Sequence, residues 1–207
     1  MTDRRQRKSR AALQQALITL VAAKPYDAIT VEDITEYADV ARATFYAHVK
    51  DKPALLLEVS QQLVAELTER AQAVAAPEPP VYTGGAVFTI FDQAARHRAL
   101  YRLVISGEGG SVARTELVAA FERLTGAVLT RMVAAPAHEP RVPMDVITTA
   151  YVGAILLTLE RWLGEHPDAD STDPGSRQVA TDFLRSQVGG LEWSLGYQPG
   201  EARFERA

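Results

Sequence analysis

The chain has 207 residues, 47% of them hydrophobic and 23% charged, with 13 glycines and 11 prolines. This is ordinary globular composition, able to bury a core, and it excludes a disordered, collagen-like or fibrous chain. There is no cysteine, which excludes disulfide scaffolds, thiol nucleophiles, zinc fingers and iron–sulfur clusters, and the formal net charge of −4 argues against a protein that coats nucleic acid over its whole surface.

The charge is unevenly spread. Residues 1–52 carry nine Lys/Arg and seven Asp/Glu, whereas the remainder carries thirteen against nineteen. The basic excess sits at the start, in Arg4, Arg5, Arg7, Lys8 and Arg10. Gln14 and Gln15 interrupt any apolar run that would make this start a signal peptide. The most apolar stretch, Val152 to Leu159, is too short to cross a bilayer. The expectation is a cytoplasmic protein with no membrane partner.

In chain order, every segment reads as helix. Leu13, Leu17, Leu20 and Val21 lie on one face of a first helix, which Pro25 ends. Thr30 is placed to cap a second, two-turn helix with Asp33 as its reciprocal partner, and Val31, Ile34 and Ala38 form its inner face. Asp39-Val40 reads as a tight turn, and Ala41 to His48 as another short helix. Asp51 can cap a longer helix with Pro53 in its first turn, running to about Ala75.

The Pro-rich stretch Ala76 to Pro80 is the clearest break. Beyond it come helices over about Thr83–His97 and Leu100–Ser106, the latter ended by a flexible link at Gly107 to Gly110. A long helix follows with Leu117, Phe121, Leu124, Val128 and Met132 at helical spacing, then a loop over Ala135–Pro143. Helices over Met144–Glu165 and Ser176–Tyr197 complete an all-α chain. The expected division is an N-terminal helical domain over 1–52, a connecting helix over about 52–75, and a second helical domain over 76–207.

Two helices too short to stand alone, joined by a minimal turn, are what a helix-turn-helix requires. Ala41, Ala43 and Ala47 keep the second helix slim enough for a major groove, and Arg42, Thr44, Tyr46 and His48 supply hydrogen-bonding groups.

The stretch from Ala38 to Val49, with Lys52 after it and Tyr26, Thr30 and Val31 before it, resembles the turn and recognition helix of the tetracycline-repressor family of bacterial transcriptional regulators. Asp39 stands where that family commonly has glycine, Ala41 where serine is frequent and Val49 where phenylalanine is common. The resemblance implies that Arg42 reads a base edge, that of guanine, and that Ala43 packs on a base or thymine methyl. Thr44, Tyr46 and His48 would hold phosphates or adjacent bases, and Thr30 and Lys52 would anchor phosphates. Arg4, Arg5 and Lys8 would add salt-dependent affinity, and Phe45 would belong to the core.

The same resemblance implies a homodimer on a palindromic double-stranded DNA operator, released or recruited by a small-molecule effector, with no cofactor. Phe88, Phe91, Tyr101, Phe121, Tyr151 and Trp162 fall on helical faces, as ordinary core residues or as the lining of an effector cavity oriented by Gln93, Arg102 or Glu160. In the last two helices, Ala150, Gly153, Ala154, Leu157, Phe183, Gly190, Leu191 and Trp193 combine small and apolar residues, as burial within one chain or a two-fold four-helix interface would require. A helical binding module without specific DNA binding is the alternative; an enzyme lacks any visible nucleophile–base pair. His48, His97, His138 and His166 have no metal-ligand spacing. The acidic run Asp168 to Asp173 lacks the spacing of a calcium loop and reads as solvated.

Overall fold

The computed structural model describes residues 2–73, 84–133, 139–165 and 175–198. Among them the helices are α1 (Thr2–Ala23), α2 (Val31–Tyr37), α3 (Arg42–His48), α4 (Lys52–Ala73), α5 (Gly85–Arg96), α6 (Arg98–Ser106), α7 (Ser111–Val133), α8 (Met144–Glu165) and α9 (Gly175–Ser194), with one 3-10 turn at Tyr26–Ala28. No strand occurs among the described residues. The Pro-rich break at 76–80, His138, His166, the acidic run 168–173 and the Arg5 side chain lie outside what is described.

The chain forms two compact units that do not follow chain order. One comprises Met1–Val64 with Arg98–Leu117, and the other Ala65–His97 with Val118–Ala207.

In the first unit, α1 packs on α2, α3 and α6. Leu13, Ala16 and Leu17 form the buried stripe of α1, while Leu20 and Val21 are only partly covered. Ile34, Phe45, Leu55, Leu56, Val59, Tyr101 and Val104 complete this core. Each such side chain contributes roughly 1.5–3 kcal/mol by leaving water. Gly107 to Gly110, expected as a flexible link, is instead an ordered turn: Gly110 N–H donates to Gly107 O at 2.9 Å. A Cβ on Gly109 would lie 2.3 Å from Leu56 Cδ2, so close packing on α4 accounts for the missing side chain.

In the second unit, α5, α8 and α9 pack on one another. The aromatic rings of Phe91 and Trp162 (6.1 Å between centroids), Phe91 and Phe183 (6.3 Å), and Tyr151 and Phe183 (5.3 Å, edge to face) form a connected cluster. On the part of α7 from Val118 onward the buried positions are Ala120, Phe121, Thr125, Leu129 and Met132, so Leu124 and Val128 fall at the edge of the stripe.

Helix α9 stops at Ser194 and does not reach Tyr197. Gly196 takes φ 91°, Gly196 N–H donates to Trp193 O and Tyr197 N–H to Glu192 O, the paired bonds of a left-handed helix stop. The Arg141 guanidinium caps the same end, donating to Trp193 O at 2.6 Å. Helix α8 is, by length and composition alone, apolar enough to cross a membrane, contrary to the sequence reading; Tyr151, Ile155, Leu159, Trp162 and Leu163 are buried within the helical unit.

Candidate nucleic-acid interface

The geometry of the site is set by how α2 begins and ends. Thr30 Oγ1 accepts from Asp33 N–H at 3.1 Å, and the Asp33 carboxylate accepts from Thr30 N–H at 2.7 Å, a reciprocal capping box. Lys24 pairs with the same carboxylate at 2.9 Å. The Lys24 hydrogen bond, followed by those from Thr30, holds the Asp33 carboxyl well below its usual range.

At the other end Asp39 adopts φ 52°. Asp39 N–H donates to Glu36 O at 3.2 Å and Val40 N–H to Thr35 O at 3.0 Å. These are again the two bonds of a left-handed helix stop, here with aspartate in the place that most often takes glycine. The turn between the two short helices is therefore this helix stop followed by Val40 and an extended Ala41.

Helix α3 starts without a side-chain cap at Ala41. Its inner face is Phe45, which is fully buried, and Val49 closes the core just after it. Its outer face presents Arg42, Ala43, Tyr46 and Ala47, all exposed, with Thr44 and His48 partly covered. The Arg42 guanidinium lies 5.9 Å from the Tyr46 ring centroid, and Tyr46 packs edge-on against Phe45 at 5.3 Å. Hydrogen bonding with Tyr46 raises the Arg42 pKa above its ordinary value, with a weaker contribution from Glu32.

The remaining positions divide. Arg4 and Lys8 are exposed on α1. Arg10, part of the same basic run, is bound to Glu58 on α4 through Nε at 2.8 Å and Nη2 at 2.5 Å, so it ties two helices together. Lys52 is also engaged: Nζ donates to Tyr26 O and Ile29 O, both at 2.7 Å, and sits 4.1 Å from the Tyr26 ring centroid. Two of its three N–H groups hold the turn that precedes α2, leaving one for the phosphate role expected from the sequence. Burial lowers the Lys52 pKa, against the attraction of Asp27 and Asp33. Sequence reasoning missed this tie because Tyr26, Ile29 and Lys52 meet only in space. It also passed over Tyr37, whose exposed ring ends α2.

Residues 14–59 match the family described as bacterial regulatory proteins, tetR family. Over this region the chain is similar to the tetR family. A 76-residue stretch is 38% identical to the uncharacterized HTH-type transcriptional regulator YxbF of Bacillus subtilis (strain 168), spanning 36% of this chain and only 20% of that relative. The fold is similar to a putative TetR-family transcriptional regulator from Syntrophomonas wolfei, with TM-score 0.72 and 13% identity over 89% of this chain and 95% of that one. It is also similar to the regulator FadR from Bacillus subtilis in complex with stearoyl-CoA, with TM-score 0.67 and 16% identity over 84% and 97%. The region matched by the tetR-family model contains α2 and α3, and the likeness to the solved structures extends over the all-α fold.

The effector and interface candidates outside residues 14–59 are placed as follows. Phe91, Tyr151 and Trp162 belong to the aromatic cluster, and Phe183, expected at an interface, joins them. Phe121 is buried in the same unit and Tyr101 in the other. Phe88 is half-buried, its ring 5.4 Å from the Arg177 guanidinium. Gln93 is buried, whereas Arg102 and Glu160 are exposed. Leu191 is buried within its own chain, but Leu157 and Trp193 are 69% and 58% exposed, and Ala150 and Gly190 are exposed with them. Gly153 and Ala154 are half-covered, and a Cβ on Gly153 or Gly190 would meet nothing within 4 Å.

Proposed function

We propose that the protein is a ligand-responsive transcriptional repressor that binds double-stranded DNA as a homodimer. The observation that carries this is the Thr30–Val49 motif: a capped α2, a left-handed stop at Asp39, and a slim α3 whose exposed face is Arg42, Ala43, Tyr46 and Ala47. Such a face fits a major groove about 12 Å wide. Arg42 would read a base edge and Ala43 a base or methyl; Thr44, Tyr46 and His48 would hold phosphates or neighbouring bases. Arg4, Arg5 and Lys8 would supply salt-dependent affinity. Thr30 and Lys52 would act chiefly by fixing α2 and the turn before it, with phosphate contact as a lesser role.

The functional division proposed is DNA reading over 1–52, connection through α4, and effector binding and dimerisation over 76–207. The aromatic cluster supports an effector with an apolar part, in keeping with the acyl chain of the stearoyl-CoA bound by the Bacillus subtilis FadR similar in fold. The open face of Ala150, Gly153, Ala154, Leu157, Gly190 and Trp193 supports a two-fold contact, which would demand a palindromic operator. Effector binding would favour a state whose recognition helices no longer match the operator spacing; about 1–3 kcal/mol of coupling shifts occupancy five- to over a hundredfold. The protein would act in the cytoplasm by binding, without turnover.

The test is selection of double-stranded DNA from a random library by the purified protein at low and at physiological salt. One inverted repeat that survives physiological salt supports the proposal. Binding that vanishes with salt and enriches no sequence refutes it, and favours a helical binding module without specific DNA recognition.

A further inference from the structure

We infer that Tyr46 is a positioning residue for Arg42: its ring, braced by the buried Phe45, sets the direction of the guanidinium and thereby the base preference of α3. The inference rests on the DNA-reading role proposed above and assigns the source of its specificity.

An exposed arginine samples many rotamers, and ordering it at a base edge opposes binding. Side chains on a helix lean toward its N-terminus, so the ring at position 46 covers the turn that carries position 42. The Arg42 guanidinium carbon lies 5.9 Å from the Tyr46 ring centroid, within reach of a cation–π contact. The ring is itself held. Phe45 is fully buried, and the two rings meet at 5.3 Å with an interplanar angle of 81°. Ala43 and Ala47, both exposed, add no bulk that would displace either side chain. The chain of support runs from the core through Phe45 and Tyr46 to Arg42.

The chemistry of the support also suits the task. An aromatic ring steadies the guanidinium without neutralising it, whereas a paired carboxylate would compete with the acceptors of a base for the same fork. Among the described residues no carboxylate lies within ion-pair distance of Arg42; Glu32 on α2 attracts it only weakly.

The test uses the full chain on the operator enriched from the random library, with single base-pair changes at each position of a half-site. Arg42→Ala is expected to flatten the preference at one base pair. Tyr46→Leu is expected to weaken discrimination at that same pair about two- to fivefold per half-site, from the loss of an exposed cation–π contact. Tyr46→Phe, which keeps the ring and removes only the hydroxyl's hydrogen bonding with the guanidinium, should retain most of it. In an Arg42→Ala background Tyr46→Leu should change discrimination no further. In the free protein the Arg42 Nε–H resonance, shifted by the ring, should move in Tyr46→Leu and not in Arg102→Ala. Unchanged discrimination in Tyr46→Leu whatever its overall affinity, discrimination that still changes in the Arg42→Ala background, or an unmoved resonance overturns the inference while leaving DNA reading intact. A library that enriches no sequence overturns both.

Discussion

Replacing Lys52 by methionine tests the tie between α4 and the turn before α2. The substitution keeps the stem over the Tyr26 ring and removes the ammonium that donates to Tyr26 O and Ile29 O, both at 2.7 Å. Tyr26 and Ile29 are 7% and 2% exposed, so their carbonyls have little access to replacement water. A hydrogen bond from a charged donor contributes roughly 1.5–3 kcal/mol net, and two would give about 3–6 kcal/mol. Lys52 is partly desolvated in the fold, which lowers its pKa and reduces that sum. An expected loss of about 2–4 kcal/mol remains for the unit that contains α1 to α3. The assay is urea denaturation followed by far-UV circular dichroism, with DNA affinity measured across salt concentrations under conditions where the variant is folded. A loss below about 1 kcal/mol would refute the tie. A phosphate anchor would instead show as a lower salt slope by about one ion with stability unchanged.

Four further outcomes follow from the geometry. Asp39→Val should destabilise by at least about 1–2 kcal/mol, because a β-branched residue is poorly suited to φ 52°, whereas Asp39→Gly should be neutral or slightly stabilising, as read by chemical denaturation. Gly196→Ala should destabilise the second unit by more than about 1 kcal/mol, since φ is 91° and the new Cβ would lie 2.4 Å from Glu139 O; an unchanged thermal midpoint would contradict this. Tyr26→Phe should hold or raise stability by up to about 1 kcal/mol, because the buried hydroxyl has no hydrogen-bond partner among the described residues and burial pushes its pKa up to about 12; a clear loss in denaturation would show that the hydroxyl is satisfied. Burial lowers the His97 pKa, with Glu66 opposing and Arg96 and Arg70 reinforcing. The unfolded chain then binds its proton more readily, so stability falls as pH drops through the ordinary histidine value and below; His97→Gln should flatten that part of the melting profile.

Much of the first unit was legible because its signals are local. A capping box requires only Thr30 and Asp33 three residues apart, and Asp51 likewise accepts from Ala54 N–H at 2.8 Å. Pro25 ends α1 by sterics that act on its own neighbour. The small residues at 41, 43 and 47 stay on the outside of α3 because Phe45 alone supplies its buried anchor. Asp39 could be read as a tolerated substitute for glycine because aspartate reaches the left-handed region at modest cost.

What the sequence determined by itself was therefore helix, caps, turns and a helix-turn-helix, all governed by interactions within a few residues. Tertiary structure decided the allegiance of the charged groups: Arg10 to Glu58 and Lys52 to two carbonyls of the preceding turn, pairings separated by 23 to 48 positions. It also decided that α6 shares a core with α1, that Gly109 closes against Leu56, and that Phe183 joins Phe91 and Tyr151. A helical period tells which residues share a face, but the partner of that face is chosen by shape and burial across distant segments. Side chains of the same kind are interchangeable in the pattern and become distinct only when packed.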